Sequence, residues 1–130
     1  MTSDVIGLSM RIHSALDPGL FESVYETVLV RKLIELGYRV DRQLPISMEF
    51  EGTKFTNAFK IGLLVDHQLV VEIKSVDQLN TLHAKQLLTY LWLMKLPVRL
   101  VINFGCLSLK DGIRRVVNNY KDSANSAPSA

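Results

Sequence analysis

The sequence predicts a single α/β (α+β) domain in which helices flank a mixed β-sheet. Three patterns support this fold class. Apolar side chains recur at helical spacing over residues 3–36, short apolar or alternating stretches fill residues 38–74, and strand-like patterns return over residues 98–118. Helices before and among strands can bury their apolar faces against a shared sheet, which gives a layered sandwich.

Composition restricts the class of protein. The 130 residues are 48% hydrophobic and 22% charged, as expected for one domain with one core. A net charge of +2 is far from the basic excess that would indicate nucleic-acid binding by itself. Cys106 is the single cysteine, which excludes an intrachain disulfide and a cysteine-built zinc site. Because no signal-peptide pattern or membrane-length apolar run occurs, we expect a cytoplasmic protein without a membrane partner.

The first elements are two helices. Ser3 or Asp4 is a candidate N-cap for a helix that runs to about Leu16, where Asp17-Pro18-Gly19 breaks it. A second helix is predicted from about Leu20 to Leu36, with Gly37 at its C′ position. Its expected core-facing stripe contains Phe21, Val24, Val28, Leu29, Leu33 and Leu36. Glu22 and Tyr25 lie beside that stripe, and spacing alone explains Glu22 as a first-turn acid favoured by the helix dipole.

Four strands are expected next. Their predicted bounds are Tyr38–Gln43, Ile46–Phe50, Phe55–Val65 and Leu69–Lys74, with Pro45 between the first two. Glu51-Gly52 is typical of a hairpin turn, and Asp66-His67-Gln68 forms the next turn. If that turn is centred on His67, antiparallel pairing sets Gly62 opposite Glu72.

The C-terminal part completes the sheet. Asn80 or Thr81 can cap a helix from about Leu82 to Lys95, and a central strand, Val98–Phe104, follows it. This helix should link the strand Leu69–Lys74 to Val98–Phe104 as a right-handed parallel crossover. Ile113–Asn118 is the expected final strand. The domain is therefore predicted to span residues 1–120, with a polar, disordered tail over residues 121–130.

Glu72 and Lys74 are the strongest functional candidates, because they interrupt a strand of apolar residues. Alternation places both on one face of the sheet and Ile73 on the other. A carboxylate and an amine there could hold a metal and position a water, or they could form an ion pair with each other. His83 lies on one side of the next helix with Gln86, and without a second ligand at metal spacing it is explained as a structural residue.

Four ordered blocks resemble the small bacterial and archaeal GxxExxY proteins of the PD-(D/E)XK nuclease-like superfamily. They are Gly19–Tyr25, which reads G-x-x-E-x-x-Y, then Val71–Val76, His83–Leu91, and Ile102–Gly105 continued by Leu109–Val116. The resemblance covers residues 3–119. It implies a restriction-endonuclease-like core with the functional site on a hairpin.

The resemblance also implies residue roles in metal-dependent phosphodiester hydrolysis of nucleic acid. Glu72 would bind Mg²⁺ or Mn²⁺ together with the Ile73 carbonyl, and Lys74 would orient the attacking water. Gln86 matches a glutamine that some members carry on the following helix. Glu22 matches a first-helix acid that approaches the metal.

Gly62 departs from this pattern, because members usually read D-L-L-V where this chain reads Gly62-Leu63-Leu64-Val65. Mg²⁺ normally takes one or two protein carboxylates, and Glu72 beside the charge of Lys74 would bind it poorly. The sequence thus predicts an impaired nuclease unless Glu22 compensates. The alternatives are an inactive module without a cofactor that binds nucleic acid or a protein, and a homodimer that completes the site across its interface.

Overall fold

The computed structural model describes residues 1–16, 18–76 and 98–117. Its elements are α1 (Thr2–Ala15), α2 (Glu22–Glu35), β1 (Val40–Phe50), β2 (Thr53–Val65), β3 (Leu69–Lys74), β4 (Val98–Asn103), a 3₁₀ turn (Leu109–Gly112) and β5 (Ile113–Val117). The predicted helix from Leu82 to Lys95, which carries His83 and Gln86, lies outside the described residues. So does the predicted tail over residues 121–130.

The five strands form one mixed sheet in the order β1-β2-β3-β4-β5. All neighbours are antiparallel except β3 and β4, which are parallel with Glu72 opposite Val101 and Lys74 opposite Asn103. The predicted α/β (α+β) class with a mixed sheet is confirmed, and so is the parallel pairing of β3 with β4. This pairing places the Glu72 strand inside the sheet, with a neighbour on each side.

The hairpin between β2 and β3 has the predicted register. Leu63 pairs with Val71 and Val65 with Leu69, so the loop is centred on His67. Asp66 and His67 both have positive φ, of 50° and 56°, and the Gln68 N–H closes the turn on the Val65 carbonyl at 2.9 Å. This loop fixes which residue of β2 stands opposite Glu72.

The first strand differs from its prediction. One strand, β1, runs through Pro45 where two were expected, and Pro45 pairs with Lys60. Because β1 is at the edge of the sheet, the missing proline N–H can face away from the ladder without breaking it. The Glu51-Gly52 turn is as predicted, with φ of 50° and 81° at its two residues.

Both helices begin differently from their predictions. α1 starts at Thr2 and no side chain caps it, so the proposed caps Ser3 and Asp4 are wrong. α2 starts at Glu22, two residues later than expected. Gly37 is at C′ as predicted, with φ of 94°, and the Tyr38 N–H bonds the Leu33 carbonyl at 3.1 Å in a Schellman motif.

The buried face of α2 is rotated relative to the predicted stripe. Phe21 is 84% exposed and Leu36 is 57% exposed, whereas Tyr25 is fully buried and its ring stacks on Phe104 with 4.3 Å between centroids. The buried residues of the helix are Tyr25, Glu26, Leu29, Val30 and Leu33. The apolar periodicity identified the helix but not the side that faces the core.

The two faces of the sheet belong to different apolar clusters. Val71 and Ile73 of β3 pack with α1 and α2, whereas Val70 packs in a smaller cluster with Ile61 and Leu64. Alternation therefore places Glu72 and Lys74 with Val70, on the face opposite the two helices. Neither α1 nor α2 has a stretch both long and apolar enough to cross a lipid bilayer.

Candidate functional site

Glu72 and Lys74 share one face of β3 but are not paired with each other. The Glu72 carboxylate is bound by Arg99 of β4, with 2.6 Å between Oε1 and Nη2. Lys74 is half-buried, and its ammonium has no hydrogen bond or ion pair among the residues that the structure describes. The alternative in which Glu72 and Lys74 form an ion pair with each other is therefore wrong.

Arg99 is the main residue that the sequence analysis missed. Its side chain is 1% exposed, in an inner strand whose other residues are valine, leucine and isoleucine up to the final Asn103. A guanidinium in such a position needs a carboxylate, because an unpaired buried charge is strongly destabilising. A single cation in one apolar strand and a single acid in its parallel neighbour are a sequence signal that could have identified the pair.

Gly62 lies against the same carboxylate. Its N–H donates to Glu72 Oε1 at 3.3 Å. A Cβ built on Gly62 would lie 3.6 Å from Glu72 Oε2 and 3.4 Å from the Val71 carbonyl oxygen, which is ordinary contact. A side chain at position 62 would therefore fit and would point towards Glu72, the residue that the predicted register sets opposite it.

The G-x-x-E-x-x-Y motif is partly structural. Gly19 has φ of 92°, a conformation that favours glycine. The Tyr25 hydroxyl accepts a hydrogen bond from the Leu20 N–H at 3.1 Å, and the Ser75 hydroxyl donates to the Leu20 carbonyl at 2.6 Å. Two of the three motif residues thus hold the turn before α2 and tie it to the end of β3.

Glu22, the third motif residue, is exposed and does not join Glu72. It makes no hydrogen bond or ion pair within the described part of the chain, and its helix packs on the other face of the sheet. It lines an open cleft of about 730 Å³ that also contains Ser75. Glu26 is the buried acid of α2, and Arg42 and Gln43 donate to its carboxylate at 3.2 Å each.

Asn103 joins the ends of β3 and β4. Its side chain is fully buried; Oδ1 accepts from the Val76 and Gly105 N–H groups at 3.0 Å each, and Nδ2 donates to the Val76 carbonyl at 2.8 Å. These bonds fix the backbone just after Lys74. The sequence pattern predicts no role for Asn103, because the alternation of a strand does not distinguish a buried amide from a solvated one.

Comparison with known families agrees with this geometry. The family model described as PD-(D/E)XK nuclease superfamily matches residues 1–116. The chain belongs to this superfamily. No curated protein and no solved structure gave a significant match. The narrower assignment of this PD-(D/E)XK domain to the GxxExxY proteins stays a prediction.

Divalent metals are usual in the PD-(D/E)XK superfamily, but the residues at β3 do not fit one. Mg²⁺ requires oxygen ligands in near-octahedral array. Over residues 1–16, 18–76 and 98–117, no group of three or more His, Cys, Asp or Glu could hold a metal. Of the predicted ligands, Glu72 is bound to Arg99 and Glu22 lies apart on α2, which leaves the Ile73 carbonyl without a second free ligand beside it.

Proposed function

We propose that this chain is a PD-(D/E)XK domain that binds nucleic acid without hydrolysing it. The observation that carries the proposal is the contact between Gly62 and Glu72, because position 62 faces the carboxylate and offers no ligand. Glu72 is the one acid that β2 and β3 contain. Hydrolysis by this superfamily's chemistry needs a metal that activates water and neutralises the phosphate, and one carboxylate already bound to a guanidinium is a poor site for it.

The same geometry supports binding of a phosphate backbone. Arg99 neutralises Glu72, so the carboxylate repels an incoming phosphate less, and Lys74 adds a positive charge that has no ion pair with another described residue. In a metal-dependent site, the metal would supply that positive charge. Contacts between basic side chains and phosphates give most of the affinity of non-specific nucleic-acid binding. Access to nucleic acid is consistent with the predicted cytoplasmic location.

A second candidate function is hydrolysis by a relocated site. Glu22 is exposed, has no ion pair within residues 1–16, 18–76 and 98–117, and lines the cleft that reaches Ser75, the residue after Lys74. If this acid approached Glu72 when substrate and Mg²⁺ or Mn²⁺ bind, it could replace the aspartate missing at Gly62. In a homodimer, the partner subunit could instead supply the missing metal ligand across the interface.

The test combines binding and cleavage of labelled single- and double-stranded DNA and RNA. We expect binding in EDTA, and no cleavage in Mg²⁺ or Mn²⁺. Lys74→Ala should weaken binding and lower the salt slope by about 1, since one phosphate contact is lost. Lys54→Ala, in the exposed tip of the β1–β2 hairpin, is the matched control and should change neither quantity.

Two results would overturn the proposal. Metal-dependent cleavage that disappears in Glu72→Ala would establish a nuclease, and a parallel loss in Glu22→Ala would identify the acid that completes its site. Failure to bind any of the four nucleic acids, with or without metal, would favour a protein partner instead.

A further inference from the structure

Two hydrogen-bond donors converge on one oxygen of Glu72. Arg99 Nη2 is 2.6 Å from Oε1, and the Gly62 N–H reaches the same atom at 3.3 Å. The second oxygen, Oε2, is the one closest to where a side chain on Gly62 would begin. Gly62 and Arg99 therefore touch the same carboxylate from the two neighbouring strands.

The charges of Glu72 and Arg99 cancel each other without a metal. Glu72 is 15% exposed and Arg99 is 1% exposed, so both charges are largely removed from water, and their pairing offsets the cost of burying them. Two carboxylates, from positions 62 and 72, would require a divalent cation for the same balance. One carboxylate requires one positive charge, which is what Arg99 provides.

We infer that Arg99 is a permanent counter-ion that fills the electrostatic role of a divalent metal at Glu72, and that Gly62 and Arg99 are a coupled pair. The inference rests on the proposed loss of the metal site, but its test uses neither cleavage nor nucleic acid. It implies that Gly62→Asp alone does not create a metal site. The new aspartate would share Arg99 with Glu72, and a metal would have to enter beside a cation that is tethered to β4.

The decisive experiment measures melting temperature in EDTA, Mg²⁺ and Mn²⁺ for the parent chain, Gly62→Asp, Arg99→Met, and the double variant Gly62→Asp/Arg99→Met. Only the double variant has two adjacent carboxylates and no guanidinium. We expect metal to raise the melting temperature of this variant alone, by about 5–10 °C when the cation is at about a hundred times its Kd. An equal gain in Gly62→Asp alone, or no gain in the double variant, would overturn the coupling.

A second set of variants tests the counter-ion itself. In EDTA, Arg99→Met should lower the melting temperature by roughly 10 °C or prevent folding, because Glu72 is left without its partner. Glu72→Gln/Arg99→Met removes both charges and should recover most of that loss. Arg115→Met, at an exposed arginine of β5, is the matched control and should leave the melting temperature unchanged.

These outcomes separate charge from packing. If Glu72→Gln/Arg99→Met is as unstable as Arg99→Met, or also fails to fold, Arg99 acts through packing and the inference is wrong. It is equally wrong if Arg99→Met melts with the parent. Because every readout is a melting temperature, failure of the parent chain to bind nucleic acid would refute the proposed function and leave this result standing.

Discussion

At the scale of single residues, the backbone around Lys74 is held by close contacts that leave no room for side chains. Gly105 packs directly against Val76, and the side-chain amide of Asn103 hydrogen-bonds the backbone of Val76. A Cβ on Gly105 would lie 2.3 Å from the Val76 carbonyl oxygen, and rigid backbone on both sides prevents relief. The path of the backbone just after β3 is therefore fixed by Gly105 and by the buried amide of Asn103.

Gly105→Ala should consequently destabilise the fold by about 2–4 kcal/mol, in the range of severe steric defects in a packed core. Gly7→Ala is the matched control, since a Cβ on Gly7 in α1 would meet nothing within 4 Å. That change should stabilise the chain by about 0.5–1 kcal/mol through helix propensity. Urea unfolding of both variants measures the difference, and equal midpoints would contradict the contact.

A hydrogen bond between α1 and the start of the sheet should depend on pH. The Tyr38 hydroxyl donates to Asp4 Oδ2 at 2.5 Å, and this bond, more than desolvation or the negative charge, raises the pKa of Tyr38 above its usual 10.0. A raised pKa means that the stabilisation is complete below pH 10 and is lost as pH rises through the higher value. Absorbance titration should show late ionisation of one tyrosine, and Asp4→Asn should bring it back towards 10.0.

Residue-scale prediction worked where a periodic rule applied. Alternation and the loop centred on His67 were enough to place Gly62 opposite Glu72, and Lys74 on the same face of β3 as Glu72. The rule could not reveal Arg99 or Asn103, because each side chain hydrogen-bonds a partner 27 residues away in the chain. The placements of Gln86 and His83 stay predictions.

At the scale of secondary-structure elements, the sequence predicts which helices and strands form and in what order. It predicts less well where each one ends and which side of a helix faces the core. The bounds of β3 were predicted as Leu69–Lys74 and are found there, since an apolar run between two turn signals has little freedom. Helix α2 was predicted with its stripe rotated, because leucines, valines and aromatic residues surround much of its circumference. The sequence predicts two strands separated by Pro45, whereas β1 runs through this proline because an edge strand tolerates it.

A pair of substitutions tests the rotation of α2. Phe21→Ala should change the free energy of unfolding by no more than about 0.5 kcal/mol, since the ring is 84% exposed. Tyr25→Ala should cost about 3–5 kcal/mol, because it empties the space beside Phe104. Calorimetric melting of both variants measures the two effects. A larger loss of stability in Phe21→Ala than in Tyr25→Ala would mean that α2 buries the stripe predicted from the sequence.

At the scale of the whole molecule, membership of the superfamily and chemistry depend on different residues. The match over residues 1–116 reflects the sheet, the helices and the turns, which many positions specify together. In the proposed function, catalytic competence depends on a few side chains around Glu72, and Gly62 and Arg99 alter that cluster while the strands that carry it stay paired. A fold can thus be assigned from the sequence while its activity has to be argued from one contact.

The parallel pairing of β3 with β4 also has a kinetic consequence. The hairpin from β2 to β3 closes a three-residue loop, whereas Glu72 pairs with Val101 only after 28 residues of intervening chain. Contacts that close long loops form slowly, because the entropy of the chain is lost before the contacts stabilise it. The N-terminal and C-terminal parts of the sheet should therefore dock late in folding. Substitutions in the β2–β3 hairpin should slow refolding, whereas Arg99→Met should mainly accelerate unfolding.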